Sequence, residues 1–268
     1  MASITAFTGN VPLNYETYLG PLFFEPYAHD LSDRLPNNKY GTILELACGT
    51  GRVTKYLLHK LQDDGRLFAT DLNEAMLTIG KQKVTDPRIR WSMVDAHALP
   101  FDEESFDLIV CQFGVMFFGD RPKAFREAFR VLKSGETFLF NTWDHIQHNA
   151  LTDVTRKVMD KMFPDDPAPF LTKGPFSFFD KEQIHQLLAE TGFKDITIDT
   201  VRITSTATSV QNCLNGIVDG TPISAYLQER NTPAGEVKEK VAEALEEYRE
   251  NGVVKLPMQA HVCYGRKP

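Results

Sequence analysis

Three acidic residues, Glu45, Asp71 and Asp95, each stand at or near the end of a short apolar run, and the first is followed closely by Gly49 and Gly51 in "ELACGTG". Glycines let a backbone approach a ligand closely and adopt positive φ. A helix beginning just after Gly51 would aim its free N–H groups at that ligand. The dinucleotide fingerprint G-x-G-x-x-G needs a third glycine, and this chain has none at that position. Glu45 is also badly placed beside a pyrophosphate and well placed beside a cation, which favours a positively charged nucleoside over NAD. Asp71 lies about twenty residues beyond the glycines, where a carboxylate takes both hydroxyls of a ribose. Asp95 can accept from the exocyclic amine of an adenine, with the Ala96 N–H beside it.

These residues need a scaffold that delivers strand ends to one edge. Ile43–Leu46, Arg66–Asp71, Ile89–Val94, Phe106–Phe113 and Thr137–Thr142 read as strands, with helices expected over Val53–Leu61, Glu74–Val84 and the Phe125, Ala128, Phe129, Leu132 stripe that ends at Gly135. Repeated β-α units of this length imply a parallel sheet with helices on both faces, and ligands of such sheets sit beyond the carboxyl ends of the strands. Residues 12–35 read as an interrupted helix, limited by Pro21 and Pro26. Past residue 145 the rhythm changes: "NALTDVTRKVMDKMF" is helical and "PDDPAPFLTKGPFSFF" is a Pro-rich loop. Asp180 then caps a helix stopped by Gly192, and "KDITIDTVRIT" alternates as a strand. Residues 207–231 are ambiguous, a further helical stripe (Val237, Val241, Leu245, Tyr248) is closed by Gly252, and "MQAHVCYGRK" is a last strand.

With four stretches in order, the chain resembles the class I S-adenosylmethionine-dependent methyltransferases, most closely the ubiquinone/menaquinone-biosynthesis-like small-molecule group. "ELACGTG" is similar to their first motif, with Ala47 where glycine is usual. "ATDLNEAML" resembles their ribose-binding strand end, "VDAHALPFDEESFDLIVCQFGVMFF" their adenine loop and fourth strand, and "REAFRVLKSGE" the turn before the fifth. The resemblance covers residues 40–145 well and 180–200 weakly. It implies a Rossmann-like, doubly wound α/β fold: a seven-stranded sheet, mostly parallel with an antiparallel last strand, plus N-terminal helices and a helical lid insertion. The implied organisation is an N-terminal helical cover (1–40), a cofactor-binding core (41–145), a lid (146–180), and the rest of the core sheet (181–268) with a second insertion near 205–250. It further implies S-adenosylmethionine as cofactor. Glu45, Ala47, Gly49 and Gly51 would line its methionine part and Asp71 its ribose. Leu72 and Met76 would pack near the adenine, Asp95 and Ala96 read it, and Gln112 and Phe113 close the floor.

In such an enzyme the sulfonium carries the reactive methyl, and aromatic faces favour such a cation. Tyr18, Phe113 and Phe117 are the candidates, Tyr18 being counted with the cofactor-binding set. Of the histidines, His145 just after the fifth strand is the most suggestively placed, and no catalytic base is assigned. The acceptor reads as a small molecule methylated on oxygen or carbon rather than nitrogen, because Gln112-Phe113-Gly114 does not match the Asn-Pro-Pro-Tyr of amino-group enzymes. Two further readings share these residues: a protein binding the cofactor without methyl transfer, a cyclase or a regulator, and an NAD-dependent oxidoreductase that the glycine spacing disfavours.

The bulk properties agree. The 268 residues carry a net charge of −7 and include no basic run, so a nucleic-acid partner, which needs clustered cations, is not expected. There is no apolar run approaching the roughly 18 residues that span a bilayer and no secretory signal. Cys48, Cys111, Cys213 and Cys263 are widely spaced without a C-x-x-C pair. They read as reduced, buried thiols of a cytoplasmic protein, and no metal site is expected.

Overall fold

The computed structural model describes residues 9–166, 168 and 170–268. Residues 1–8 of the expected N-terminal cover, and Pro167 and Pro169 of the expected Pro-rich loop, lie outside the described residues. The chain divides into two compact units. One comprises Tyr27–Trp143, Phe178–Val201 and Ala260–Pro268; the other comprises the described residues up to Pro26, Asp144–Ser177 and Arg202–Gln259.

The first of these units is built on the sheet. Tyr40–Leu46 (β1) pairs in parallel with Leu61–Asp71 (β2) on one side and Phe106–Gln112 (β4) on the other. Ile89–Met93 (β3) lies outside β2, and Leu132–Trp143 (β5) outside β4. Val253–Arg266 (β8) joins β5 antiparallel, and Lys194–Ala207 (β6) forms the far edge, so the order is β3-β2-β1-β4-β5-β8-β6. The antiparallel strand is the last one, as the resemblance implies. Alternation sorts the side chains into two layers. Ile43, Leu67, Leu108, Val110 and Leu139 pack with Ala28, Leu31, Leu57 and Leu77 on one face. On the other face Phe138 and Phe140 meet Phe125 edge-on, at centroid distances of 5.4 and 5.5 Å.

Local signals explain the boundaries. Asn73 caps Glu74–Lys83 by accepting from the Ala75 and Met76 N–H groups, Asp120 caps Arg121–Val131 through Lys123 N, and Asp180 caps Lys181–Thr191. That last helix ends at Gly192 with φ +112°, a left-handed stop. The expected helix over Val53–Leu61 shrinks to Thr54–Leu57, and β2 begins at Leu61 rather than Arg66. Lys39 and Tyr40 draw this segment away from the helix, since both donate backbone bonds to the Lys60 carbonyl.

In the other unit, Tyr15–Phe24 runs with i→i+5 bonds around Pro21; the wider turn tolerates a residue that would break an α-helix. Ala150–Met162 buries Leu151, Val154, Val158 and Met159 along one stripe. Gly252 does not close a helix directly. Asn251 and Gly252 take φ +50° and +80° between Glu250 and Val253, a two-residue hairpin that joins the short strand Arg249–Glu250 (β7) to β8. Asn-Gly favours this turn because both central residues need positive φ.

Candidate active site

The loop after β1 is organised around a buried carboxyl. Glu45 is 1% exposed and accepts a 2.6 Å hydrogen bond from the Thr54 hydroxyl. Thr54 occupies the place of the third glycine in the dinucleotide fingerprint, so this chain exchanges close backbone packing for a bond that fixes Glu45. Burial pushes the Glu45 carboxyl up to about 8, with the Thr54 bond opposing it. Ala47 lies in the left-handed region at φ +52°, beside Gly49 (+55°) and Gly51 (+76°). The loop therefore needs positive φ where the chain departs from glycine, and Ala47 adopts it at a cost of about 1–2 kcal/mol. The methyl of Ala47 points at Gly114, where an added Cβ would stand 2.5 Å away.

Asp71 ties the loop to the end of β2. Its Oδ2 accepts from Gly49 N at 2.8 Å and its Oδ1 from Asn73 N at 2.8 Å. Burial raises its pKa against those backbone bonds. The Gly49 N–H is thus spent on Asp71 and the Gly51 N–H on the Cys48 carbonyl. With a following helix of only four residues, the expectation of a helix N-terminus presenting free donors gives way to a loop held from below. Each Asp71 oxygen keeps a lone pair for a hydroxyl donor. Next to it Leu72 is 67% exposed, and Met93, the register partner of Asp71 at the end of β3, is 64% exposed. Met76 is buried. Two exposed apolar side chains at adjoining strand ends suit the flat face of a purine.

Beyond β3, Asp95 accepts from both the backbone N–H (2.9 Å) and the ring Nδ1 (2.6 Å) of His97 through its Oδ1. Ala96 lies between them, half-buried. At the end of β4, Gln112 pairs with Asn141. Phe113 takes φ +51°, its N–H shared between the carbonyl and the side-chain oxygen of Asn141 at 3.2 and 2.8 Å. Its ring stacks on Trp143 at 3.9 Å and 14°, and Tyr27 meets both rings edge-on. Trp143 and Tyr27 escaped the sequence reading. Trp143 carries a usable signal, an aromatic at the carboxyl end of β5; Tyr27, on a Pro-flanked helix, carries none. Burial pushes the Cys111 thiol up to about 12 and that of Cys48 well up, so both are inert at neutral pH. All four cysteines are free and buried.

Glu45, Ala47, Gly49, Gly51, Asp71, Leu72, Met76, Asp95, Ala96, Gln112 and Phe113 all belong to the sheet unit, at or just beyond the carboxyl ends of β1–β4. Tyr18 belongs to the other unit, where its Cβ packs near Gly216. His145 caps a short turn there by accepting from Gln147 N at 3.4 Å.

Residues 27–211 match the model of the ubiE/COQ5 methyltransferase family. The chain belongs to this family. It is an S-adenosylmethionine-dependent methyltransferase. The ubiquinone/menaquinone biosynthesis C-methyltransferase UbiE of Shewanella oneidensis is 29% identical over 191 residues, spanning 65% of this chain and 73% of that protein. Among solved structures, Haemonchus contortus phosphoethanolamine N-methyltransferase 2 in complex with S-adenosyl-L-methionine aligns with a TM-score of 0.64 at 17% identity, over 100% of this chain and 60% of that one. The [4+2]-cyclase SpnF aligns at 0.57 and 17%, over 91% and 81%. These likenesses establish the fold; the family match carries the assignment to methyltransferases. Among the described residues no helix of this methyltransferase is long and apolar enough to cross a membrane.

Proposed function

We propose that the tips of β1–β4 hold S-adenosylmethionine and that the methyl acceptor is a small molecule attacking through oxygen or carbon. The observation that carries the first part is the Asp71 carboxylate: bonded at 2.8 Å to both Gly49 N and Asn73 N, it is fixed with one lone pair per oxygen to spare for a ribose diol. The residues fit the group. Leu72 and Met93 offer apolar surface for the base, Asp95 retains an oxygen for its amine, and buried Glu45 offers a negative partner for the cationic end. Gly49, Gly51 and Ala47 leave backbone close by, and Gln112 and Phe113 form the floor.

When bound, the cofactor supplies a methyl on a sulfonium, an electrophile that needs no further activation. The chain's own contribution is placement and exclusion of water. The stacked Phe113 and Trp143 rings, both nearly fully buried, present an apolar, π-rich wall suited to a cation. We assign the choice of acceptor to residues 146–180 and 205–250, and count Tyr18 with the cofactor-binding set. UbiE's name describes a C-methyltransferase, which favours a carbon acceptor within the oxygen-or-carbon class. The net charge of −7 supports neither a nucleic-acid partner nor an anionic surface, and a cytoplasmic location fits four free cysteines.

The test is calorimetry with S-adenosylmethionine, S-adenosylhomocysteine and NAD, followed by turnover against phenols, quinols and amines. Asp71→Ala should weaken binding of S-adenosylhomocysteine by about 1–3 kcal/mol, the worth of charged hydrogen bonds. Unchanged affinity in a folded variant removes the ribose assignment. Amines alone being methylated overturns the acceptor class.

A further inference from the structure

His97 sits between two groups that decide its protonation pattern. Its Nε2 lies 3.2 Å from the backbone nitrogen of Asp120. A backbone N–H can only donate, so Nε2 is the accepting, unprotonated nitrogen, and the ring proton is on Nδ1. That proton points at Asp95 Oδ1, 2.6 Å away, while the His97 backbone N–H reaches the same oxygen at 2.9 Å. Both donors converge on Oδ1, and among the described residues no hydrogen bond engages Oδ2.

The ring is itself held. Phe118 meets it edge-on at 5.9 Å. Asp120, whose N–H anchors Nε2, is the capping residue of Arg121–Val131 and accepts from Lys123 N at 2.9 Å. The start of that helix is thereby connected through one imidazole to the carboxylate after β3. The charged groups facing this imidazole are Asp95 and Asp120, with Lys123 acting on Asp95 from the helix. The His97 backbone bond first, and its ring bond second, hold the Asp95 carboxyl below the usual range.

We propose that His97 is a positioning residue for base recognition: by clamping Oδ1 of Asp95 it leaves Oδ2 aimed for the exocyclic amine of adenine, and so sets the discrimination between adenosine and a 6-oxo purine nucleoside. The inference rests on the reading that Asp95 accepts from that amine. It adds that a half-exposed aspartate needs a second residue to choose which oxygen it presents. An Asp95 free to rotate could offer either oxygen or a water in its place, and the ordering entropy would fall on the bound state.

The experiment measures the affinity ratio of S-adenosylhomocysteine to its inosine analogue, which carries a carbonyl in place of the amine, by calorimetry on the full chain. His97→Ala should lower that ratio about tenfold, the loss expected when a hydrogen bond to a charged group is no longer held in place. His97→Asn keeps a donor near the position of Nδ1 and should restore most of the ratio, while Asp95→Asn should lower it at least as far as His97→Ala. Equal weakening of both ligands in His97→Ala, with the ratio kept, reduces His97 to a loop support and overturns the proposal. A ratio indifferent to Asp95→Asn overturns it differently, because the assignment of Asp95 to the base has then failed first.

Discussion

Glu45 combines burial, a hydroxyl donor and the absence of any ion-pair partner among the described residues, and that combination has a pH signature. Its folded pKa of about 8 lies above the ordinary 4.5, so between those values the native state binds a proton that the unfolded chain has released. Stability contributed by this group is therefore fully present below pH 4.5 and is lost as pH rises towards 8, with a limiting slope of about 1.4 kcal/mol per pH unit. Urea unfolding of the ligand-free protein from pH 5 to 8 should show falling stability, and Glu45→Gln should flatten the profile. A cation beside Glu45 favours its charged form, so cofactor affinity should rise over the same range in the wild type and lose that dependence in the variant. Parallel profiles for the two proteins would place the ionised carboxylate in the ligand-free state already. Ala47 illustrates the limit of reading residue types alone: the glycine expected there signals a left-handed turn, yet the turn survives the substitution because the Ala47 methyl finds room over Gly114.

At the scale of elements, the strands were legible because each is an apolar run with a defined stop, and the caps at Asp180 and Gly192 because their chemistry is local. What the sequence hid were contacts between elements. Lys39 and Tyr40 shorten the helix after the glycine loop by recruiting the Lys60 carbonyl. Gly80, an inconspicuous residue inside Glu74–Lys83, is another such contact. An added Cβ there would stand 2.8 Å from Trp91, and one on Gly51 equally close to the same indole. Trp91 on β3 is thus clamped between the glycine loop after β1 and the helix after β2. In an unconstrained helix, Gly→Ala stabilises by about 0.8–1 kcal/mol. Gly80→Ala should instead destabilise by about 1–3 kcal/mol through overpacking, and Trp91→Leu in the same chain should recover part of that loss. Denaturant midpoints of the wild type and these two variants check this, and stabilisation by Gly80→Ala alone would mean the indole moves aside freely.

At the scale of the whole chain, the family match begins at residue 27 and the sheet unit begins at Tyr27, so the region matched to the family and the sheet unit start together. The other unit draws on three separated stretches joined by contacts that no local pattern announces, such as the Ser205 hydroxyl on the Leu22 carbonyl and the Tyr226 hydroxyl on the Asp166 carbonyl. That is why the sequence yields the sheet and its tips but not the membership of this unit. Hydrogen exchange with S-adenosylhomocysteine distinguishes the parts. At about 100 times its Kd the ligand stabilises the state that binds it by about 2.7 kcal/mol, and the earliest protection should fall on peptides around 43–54, 69–77, 93–98 and 110–115. Tyr18 supplies the sharper arm, since its segment, Tyr15–Phe24, belongs to the other unit. Slowed exchange there that Tyr18→Ala abolishes, together with weaker ligand binding, is what its place in the cofactor set requires. Protection confined to the four sheet-tip peptides, with affinity unmoved by Tyr18→Ala, would take Tyr18 out of that set while leaving the strand-end assignments intact.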